Sequence, residues 1–330
     1  MNTNKLSDEQ LAQYMAIVDE VEHLRTLTER EKEKLVRDIM EKPFLNLLCD
    51  VAFKYVFQQD MESLKMLLND FLPEEIESVS TYPNELVSPV IEDKKPVLDI
   101  LAKTTDGRHI IIEMQQEKRK AFFPRLYYYG SKLLAGQLKK GKHYQDLLPV
   151  IVLCFTNFTT RHKGCPADQL VYEYQHREKA GGAFIKKSLH TTYICELPRL
   201  AKKALNEMNP IESWFYILRN CGKFANVPEE MNARYGHIIE AAKTNLVPDK
   251  ERTQYLRAML SDYDKKDIAE AYYEDGFEEG MEKGIEKGIE KGEIKRSNEI
   301  ALAMLAKDLD PGLVAECTGL SVEEVEALRN

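Results

Sequence analysis

The sequence predicts an α/β protein with helical additions at both ends of the chain. Three observations carry that expectation. Two short apolar runs, Val97–Leu101 and Ile110–Met114, flank an Asp106-Gly107 turn signal and read as a β-hairpin. A helical stretch follows, and then a continuous apolar run of strand length, Leu148–Phe155, which reads as a buried central strand. Strand, hairpin, helix, strand is the order expected of an α/β core.

Residues 6–41 read as charged helix. Ser7-Asp-Glu-Gln10 has the pattern of a capping box, and Leu11, Met15, Val18, Val21 and Leu24 recur on one side. Thr28-Glu-Arg-Glu31 offers a second cap. Residues 46–71 read as a helix pair or one long broken helix, with Phe53, Val56 and Phe57 and then Leu64, Leu67, Leu68 and Phe71 as apolar stripes. Pro73 marks the exit.

The hairpin is the most informative segment. Each of its runs carries an acid in aliphatic company, Asp99 and Glu113. A carboxylate there is costly unless something pairs with it. A divalent cation shared by both is one solution, and it supports hydrolysis of phosphodiesters. Side chains on a strand alternate faces, so the two acids can share an ion only in one register. A two-residue loop at Asp106-Gly107 sets Asp99 opposite Met114. A three-residue loop, Thr105-Asp106-Gly107, pairs Thr104 with Arg108 and sets Asp99 opposite Glu113. The alternative to a metal site is an ordinary hairpin whose acids reach solvent at an edge.

Beyond the hairpin, a helix is expected from about Pro124 to Lys140, with Leu126, Leu133, Leu134 and Leu138 on its apolar side. The net charge of −9 argues against indiscriminate nucleic-acid binding by the whole surface. Yet Lys118, Arg119, Lys120, Arg125, Lys132, Lys139, Lys140 and Lys142 lie in a stretch with no acid, interleaved with Phe122, Phe123 and Tyr127–Tyr129. A local basic stripe in an acidic chain is the footprint of a phosphate-binding surface; the plainer alternative is a solvated basic helix. Val171–Tyr174 and Ile185–Cys195 read as further strands around a Gly181-Gly182 turn.

Helices are expected at Leu200–Met208, Pro210–Asn220, Glu229–Thr244 and Lys250–Ser261, with prolines 210, 228 and 248 near their starts. Trp214, the one tryptophan, reads as core. Glycines 276, 280, 284, 288 and 292 recur at four-residue spacing beside Phe277, Met281, Ile285 and Ile289. Small residues so spaced let two helices approach closely, which predicts self-association; the alternative is a charged linker helix. Asn298–Leu305, Pro311–Cys317 and Val322–Arg329, with a Thr318-Gly-Leu-Ser321 turn, are similar to a degenerate helix-turn-helix. Glu316, Glu323, Glu324 and Glu326 make that tail poorly suited to reading DNA.

At 330 residues the chain is long enough for more than one folded unit. Six cysteines, at 49, 154, 165, 195, 221 and 317, show no Cys-x-x-Cys spacing, which suits a reducing cytoplasm and argues against zinc or a disulfide framework. The histidines at 109, 143, 162, 176, 190 and 237 share no ligand spacing. No apolar run approaches the roughly 20 residues that span a bilayer, and no signal peptide or membrane partner is expected.

Around the hairpin the chain resembles the PD-(D/E)XK nuclease superfamily, in which an Asp on one strand is followed by Glu-x-Lys on the next. Here Pro96 and Asp99 lead, and Glu113-Met114-Gln115 follows, with Gln in the Lys position. More narrowly the chain resembles the Rpn family of recombination-promoting nucleases, also described as PD-(D/E)XK family transposases. Asp50-Val-Ala-Phe-Lys54-Tyr-Val-Phe57 is similar to that family's opening Asp-x-x-Phe-Lys-x-x-Phe. Arg125-Leu-Tyr-Tyr-Tyr-Gly130, Gln137, Tyr144, Leu148–Leu153, Val171–Tyr174 and Tyr193–Pro198 continue the likeness, which covers roughly residues 44–200.

The resemblance implies a restriction-endonuclease-like core and a bacterial, metal-dependent DNA endonuclease that promotes recombination. Asp99 and Glu113, with the Met114 carbonyl, would hold Mg²⁺ or another divalent cation. Gln115 would orient water, and Asp50 would assist from the first core helix, where related families place an acid. A neutral Gln leaves metal binding intact but removes the charge a Lys would bring. The expected organisation is a helical extension (1–43), nuclease core (44–200), helical region (201–275), glycine-repeat helix (276–296) and small helical tail (297–330). The rivals are a non-catalytic DNA-binding or assembly protein and a toxin or phage-defence component that keep the fold.

Overall fold

The structure, a computed structural model, describes residues 4–82, 98–118, 121–138, 141, 143–160, 165–166, 168–178, 182–183, 188–261, 292, 295–307 and 309–329. They fall in two units, Met1–Asp262 and Tyr263–Asn330.

The first unit opens with α1 (Asp8–Glu20) and α2 (Glu29–Met40), each started by the expected capping box, on Ser7 and on Thr28. Residues 46–71 form two helices rather than one: α3 (Asp50–Gln59) and α4 (Met61–Phe71). Asp60 divides them, because its side chain accepts the Ser63 amide and caps α4. The sheet comprises β1 (Val79–Tyr82), β2 (Ile100–Thr104), β3 (His109–Gln115), β4 (Val150–Thr156), β5 (Val171–Tyr174) and β6 (His190–Glu196), with α5 (Phe122–Ala135) between β3 and β4. α6 (Pro210–Asn220), α7 (Glu229–Ala241) and a helix over residues 249–261 follow.

The strand order is β1-β2-β3-β4-β6-β5. β3, β4 and β6 run parallel, and β1, β2 and β5 are antiparallel to their neighbours. β4 is buried along its whole length, as a continuous apolar run at the centre of a covered sheet must be. Its side chains divide by alternation. Ile151, Leu153 and Phe155 join the larger core with Phe53, Phe57, Leu64, Trp214 and Phe215. Val150, Val152 and Cys154 join Ile111, Ile194, Phe122 and Leu126 beneath α5. Trp214 is buried as expected, and its indole N–H donates to Asp70 at 2.8 Å. None of the six cysteines forms a disulfide, and four of them are buried.

Two helical expectations are corrected. α5 stops at Ala135, capped by Gly136, instead of running to Lys140. Glycine favours termination there, and the next residue is diverted: Gln137 donates to the Leu148 carbonyl and accepts the Leu148 amide. Gln137 thus ties the end of α5 to the start of β4. The span 200–208 holds one 3-10 turn, Leu205–Glu207, instead of a helix. Residues 201–204 are exposed and have no apolar face to bury.

In the second unit, helices at residues 295–305, Pro311–Thr318 and Val322–Arg329 bury Ala301, Val314, Ala315 and Val325. Gly319 ends the middle helix at φ +72°, a conformation in which a side chain would be strained. The glycine repeat lies outside the described residues except for Gly292. Among the described residues, no helix is long and apolar enough to cross a membrane.

Candidate active site

The hairpin adopts the three-residue loop. Thr104 pairs with Arg108 through its amide at 3.1 Å, and the Gly107 amide closes the turn on the Thr104 carbonyl at 2.9 Å. Gly107 has φ +86°, which explains its identity in this loop. Asp106 secures the turn by accepting the Thr104 hydroxyl and, at 2.7 Å, the Arg108 Nε. The ladder pairs Lys103 with His109 and Ile100 with Ile112. The next step sets Asp99 opposite Glu113.

The two acids hold each other through the backbone. The Met114 amide donates to Asp99 Oδ2 at 2.7 Å, and the Asp99 amide donates to Glu113 Oε1 at 3.3 Å. By alternation Glu113 shares the α5 face with Ile111, and Cys154 stands beside it on β4. Glu113 is only 2% exposed. Burial pushes the Asp99 carboxyl up to about 7, and the nearby Asp50 charge adds to the rise. The Met114 amide, Arg125 and Lys54 oppose it. Burial also raises Glu113 well above the ordinary carboxylate range, and the Asp99 charge reinforces this. Buried carboxylates with such neighbours are marks of a functional site.

Gln115, two residues on, faces the same side as Glu113. Its Nε2 donates to Glu113 Oε2 at 3.1 Å, while its Oε1 accepts from Arg125 Nη2 of α5. The amide therefore bridges a carboxylate and a guanidinium. Arg125 Nε is buried with no acceptor among the described residues. A buried N–H in that state suits an anionic oxygen. Asp50 stands at the first position of α3 with its Oδ1 on the Val51 amide at 2.7 Å. Its charge raises the pKa of the Asp99 carboxyl.

The sequence places Arg125 in the basic stripe and at a family-matching position that could face substrate or simply solvate, without pairing it to Gln115, and it gives Lys54 no role in the site. The signal for Lys54 is its place one helical turn after Asp50. Lys118 is exposed, and Lys132 Nζ lies 3.2 Å from the Tyr128 hydroxyl. Arg119, Lys120, Lys139, Lys140 and Lys142 lie outside the described residues.

The donor set suits a hard cation. Among the described residues no three of His, Cys, Asp and Glu converge on one point. Two carboxylates suffice for Mg²⁺, which keeps several waters and takes further oxygens from substrate phosphate. Another buried acid, Glu196, is spoken for: its carboxylate accepts the Thr160 amide at 2.5 Å, the Thr160 hydroxyl at 2.7 Å and Arg199 Nε. It locks the loop that leaves β4.

Comparison with known families agrees with this fold. The family described as PD-(D/E)XK nuclease family transposase matches residues 47–271, which include the whole sheet and Asp50, Asp99, Glu113, Gln115 and Arg125. The Rpn/YhgA-like nuclease family C-terminal HTH domain matches residues 295–330. Neither a curated protein nor a solved structure matches the chain.

Proposed function

Because the chain belongs to the PD-(D/E)XK nuclease family transposases and ends in the C-terminal HTH domain of Rpn/YhgA-like nucleases, we propose that it is a divalent-metal-dependent endonuclease acting on DNA in recombination or transposition. The observation that carries this reading is the pair of Glu113, buried on β3, and Asp99, half-buried just ahead of β2, facing each other next to Arg125.

Asp99 and Glu113, with the Met114 carbonyl, are the residues to hold the cation, and their hard oxygens favour Mg²⁺. A bound divalent cation supplies Lewis acidity and lowers the pKa of a coordinated water. Arg125 offers its orphaned Nε to a phosphate oxygen and offsets charge that builds there. Gln115 holds Arg125 in place and presents an amide to orient water. Asp50 and Lys54 set the charge around Asp99 from α3. The basic stripe docks the DNA backbone, which gives affinity without sequence choice. Nicking of supercoiled plasmid with Mg²⁺, with chelator and with Asp99→Ala tests this function. Plasmid that stays supercoiled at every Mg²⁺ concentration would overturn it.

One observation favours a rival. Gln115 is neutral where the PD-(D/E)XK pattern has Lys, and a chain that only binds or assembles on DNA has no need of that charge. Nicking by the chain at saturating Mg²⁺ separates the two, since the rival keeps both carboxylates but predicts no cleavage. The glycine repeat supports a further part of the reading, that two copies associate through this segment, because a close-packed partner offsets helix-weakening glycines.

A further inference from the structure

At the far edge of the sheet, between α5 and the β5–β6 ladder, lies an open cavity of about 150 Å³ that the acid pair does not use. Tyr127, Tyr174, Gln175, His176, His190 and Thr192 line it. Tyr174 pairs with Thr192 across the ladder, and His190 follows on the same face. The Tyr127 ring lies 5.1 Å from that of His190 and 6.4 Å from that of His176. Gly130 makes this possible: a Cβ there would fall 2.3 Å from His190 Nε2. The missing side chain is what lets the imidazole sit beneath the helix.

Tyr127 is 55% exposed, Tyr174 42% and Phe123 43%. Single exposed aromatics are ordinary, but two lining one concavity, with Phe123 packed against Tyr174 at 6.0 Å, mark a binding surface. Around them the lining, although mostly apolar in area, carries imidazole, amide and hydroxyl groups that can meet the edge of a heterocycle. A cavity of about 150 Å³ accommodates one aromatic ring. Charge chooses the class of ligand. Tyr127 belongs to the stretch 118–142, which has eight basic residues and no acid. It lies two residues after Arg125, whose guanidinium reaches the acid pair through Gln115.

We propose that this cavity receives an unpaired base, preferably a pyrimidine, of single-stranded DNA whose backbone follows α5 away from the acid pair. Tyr127 and Tyr174 are its stacking walls. The choice of polymer rests on the nuclease reading above; the site itself rests on the cavity and its rim.

Fluorescence anisotropy of the full chain in chelator tests the proposal with two labelled probes, a thymidine dodecamer and the same backbone without bases. The native chain should bind the dodecamer more tightly. Tyr127→Ala and Tyr174→Ala should each weaken dodecamer binding by about ten- to a hundredfold, the range for a lost stacking partner. Both should leave the abasic probe and the salt dependence unchanged, and Tyr127→Phe should bind like the native chain. Both tyrosines are well exposed, so circular dichroism of the Ala variants should match the native spectrum. Equal affinity for the two probes, unchanged Ala variants, or equal losses on both probes would each overturn the proposal. Plasmid nicking with no preference for bases leaves the nuclease reading standing and removes the cavity. A base preference lost in the variants, without nicking, does the reverse.

Discussion

Asp99 and Glu113 face each other across a hairpin in which the Met114 amide donates to Asp99 at 2.7 Å and the Asp99 amide donates to Glu113 at 3.3 Å. The pair is therefore positioned by backbone before any ion arrives. The desolvation it endures makes it responsive to both protons and cations.

That response has a definite sign. The Asp99 carboxyl sits at about 7 in the folded chain against an ordinary 3.8. The folded state holds this proton more tightly, so the stabilising contribution is complete below about pH 4 and is lost as pH rises through 7. Glu113 acts in the same direction. Melting temperatures of the metal-free chain should fall from about pH 5 to pH 8, and Asp99→Asn should flatten that fall. Mg²⁺ should raise the melting temperature mainly above pH 7, where it meets deprotonated ligands. A native profile as flat as that of the Asn variant would reject the shift.

Asp99→Ala and Glu113→Ala should each abolish Mg²⁺-dependent nicking while circular dichroism stays native. Either change removes a carboxylate whose burial is costly. Retained nicking in either variant would remove that residue from the site.

Gln115 and Arg125 should behave as one unit. Gln115→Ala releases the guanidinium and should slow cleavage about 10- to 100-fold without loss of metal affinity, the scale of a misplaced positioning group. Gln115→Lys should keep metal binding and measurable cleavage through the donor it presents to Glu113, although it loses the acceptor that holds Arg125. Arg125 lowers the pKa of both acids, so Arg125→Ala should move the pH–rate profile to higher pH. An unmoved profile would confine Arg125 to DNA docking.

For the basic stripe, replacing Lys139, Lys140 and Lys142 together with Gln should weaken binding to all duplex sequences. The slope of log affinity against log salt should fall by roughly 0.9 per lost phosphate contact. A constant slope would make these lysines a solvated surface.

For the glycine repeat, sedimentation of the native chain at micromolar concentration should show a dimer. Gly280, Gly284 and Gly288 replaced together by Leu should give a monomer, although intrinsic helicity rises. A native monomer would leave the repeat as a linker or a site for another protein.

Features held by near neighbours were legible in the sequence. Ser7 with Gln10 and Thr28 with Glu31 each close a capping box inside one helical turn. Gly107 can take its positive φ whatever surrounds it, so spacing narrowed the hairpin to two loop lengths, and the observed ladder chose the one that faces the acids. The apolar run that became β4 announced a strand covered on both faces. Long-range contacts were settled only by the tertiary structure. Insertion of β6 between β4 and β5 sets His190 beneath Gly130 of α5 and opens the aromatic cavity. Gln137 ends on the Leu148 backbone, Glu196 on Thr160 and Arg199, and Arg125 on Gln115. Polar groups such as these take whichever partner the packed sheet and helices bring within hydrogen-bond reach. Local spacing encodes turns and caps, whereas the partner of a buried charge depends on which distant segment the core packs against it.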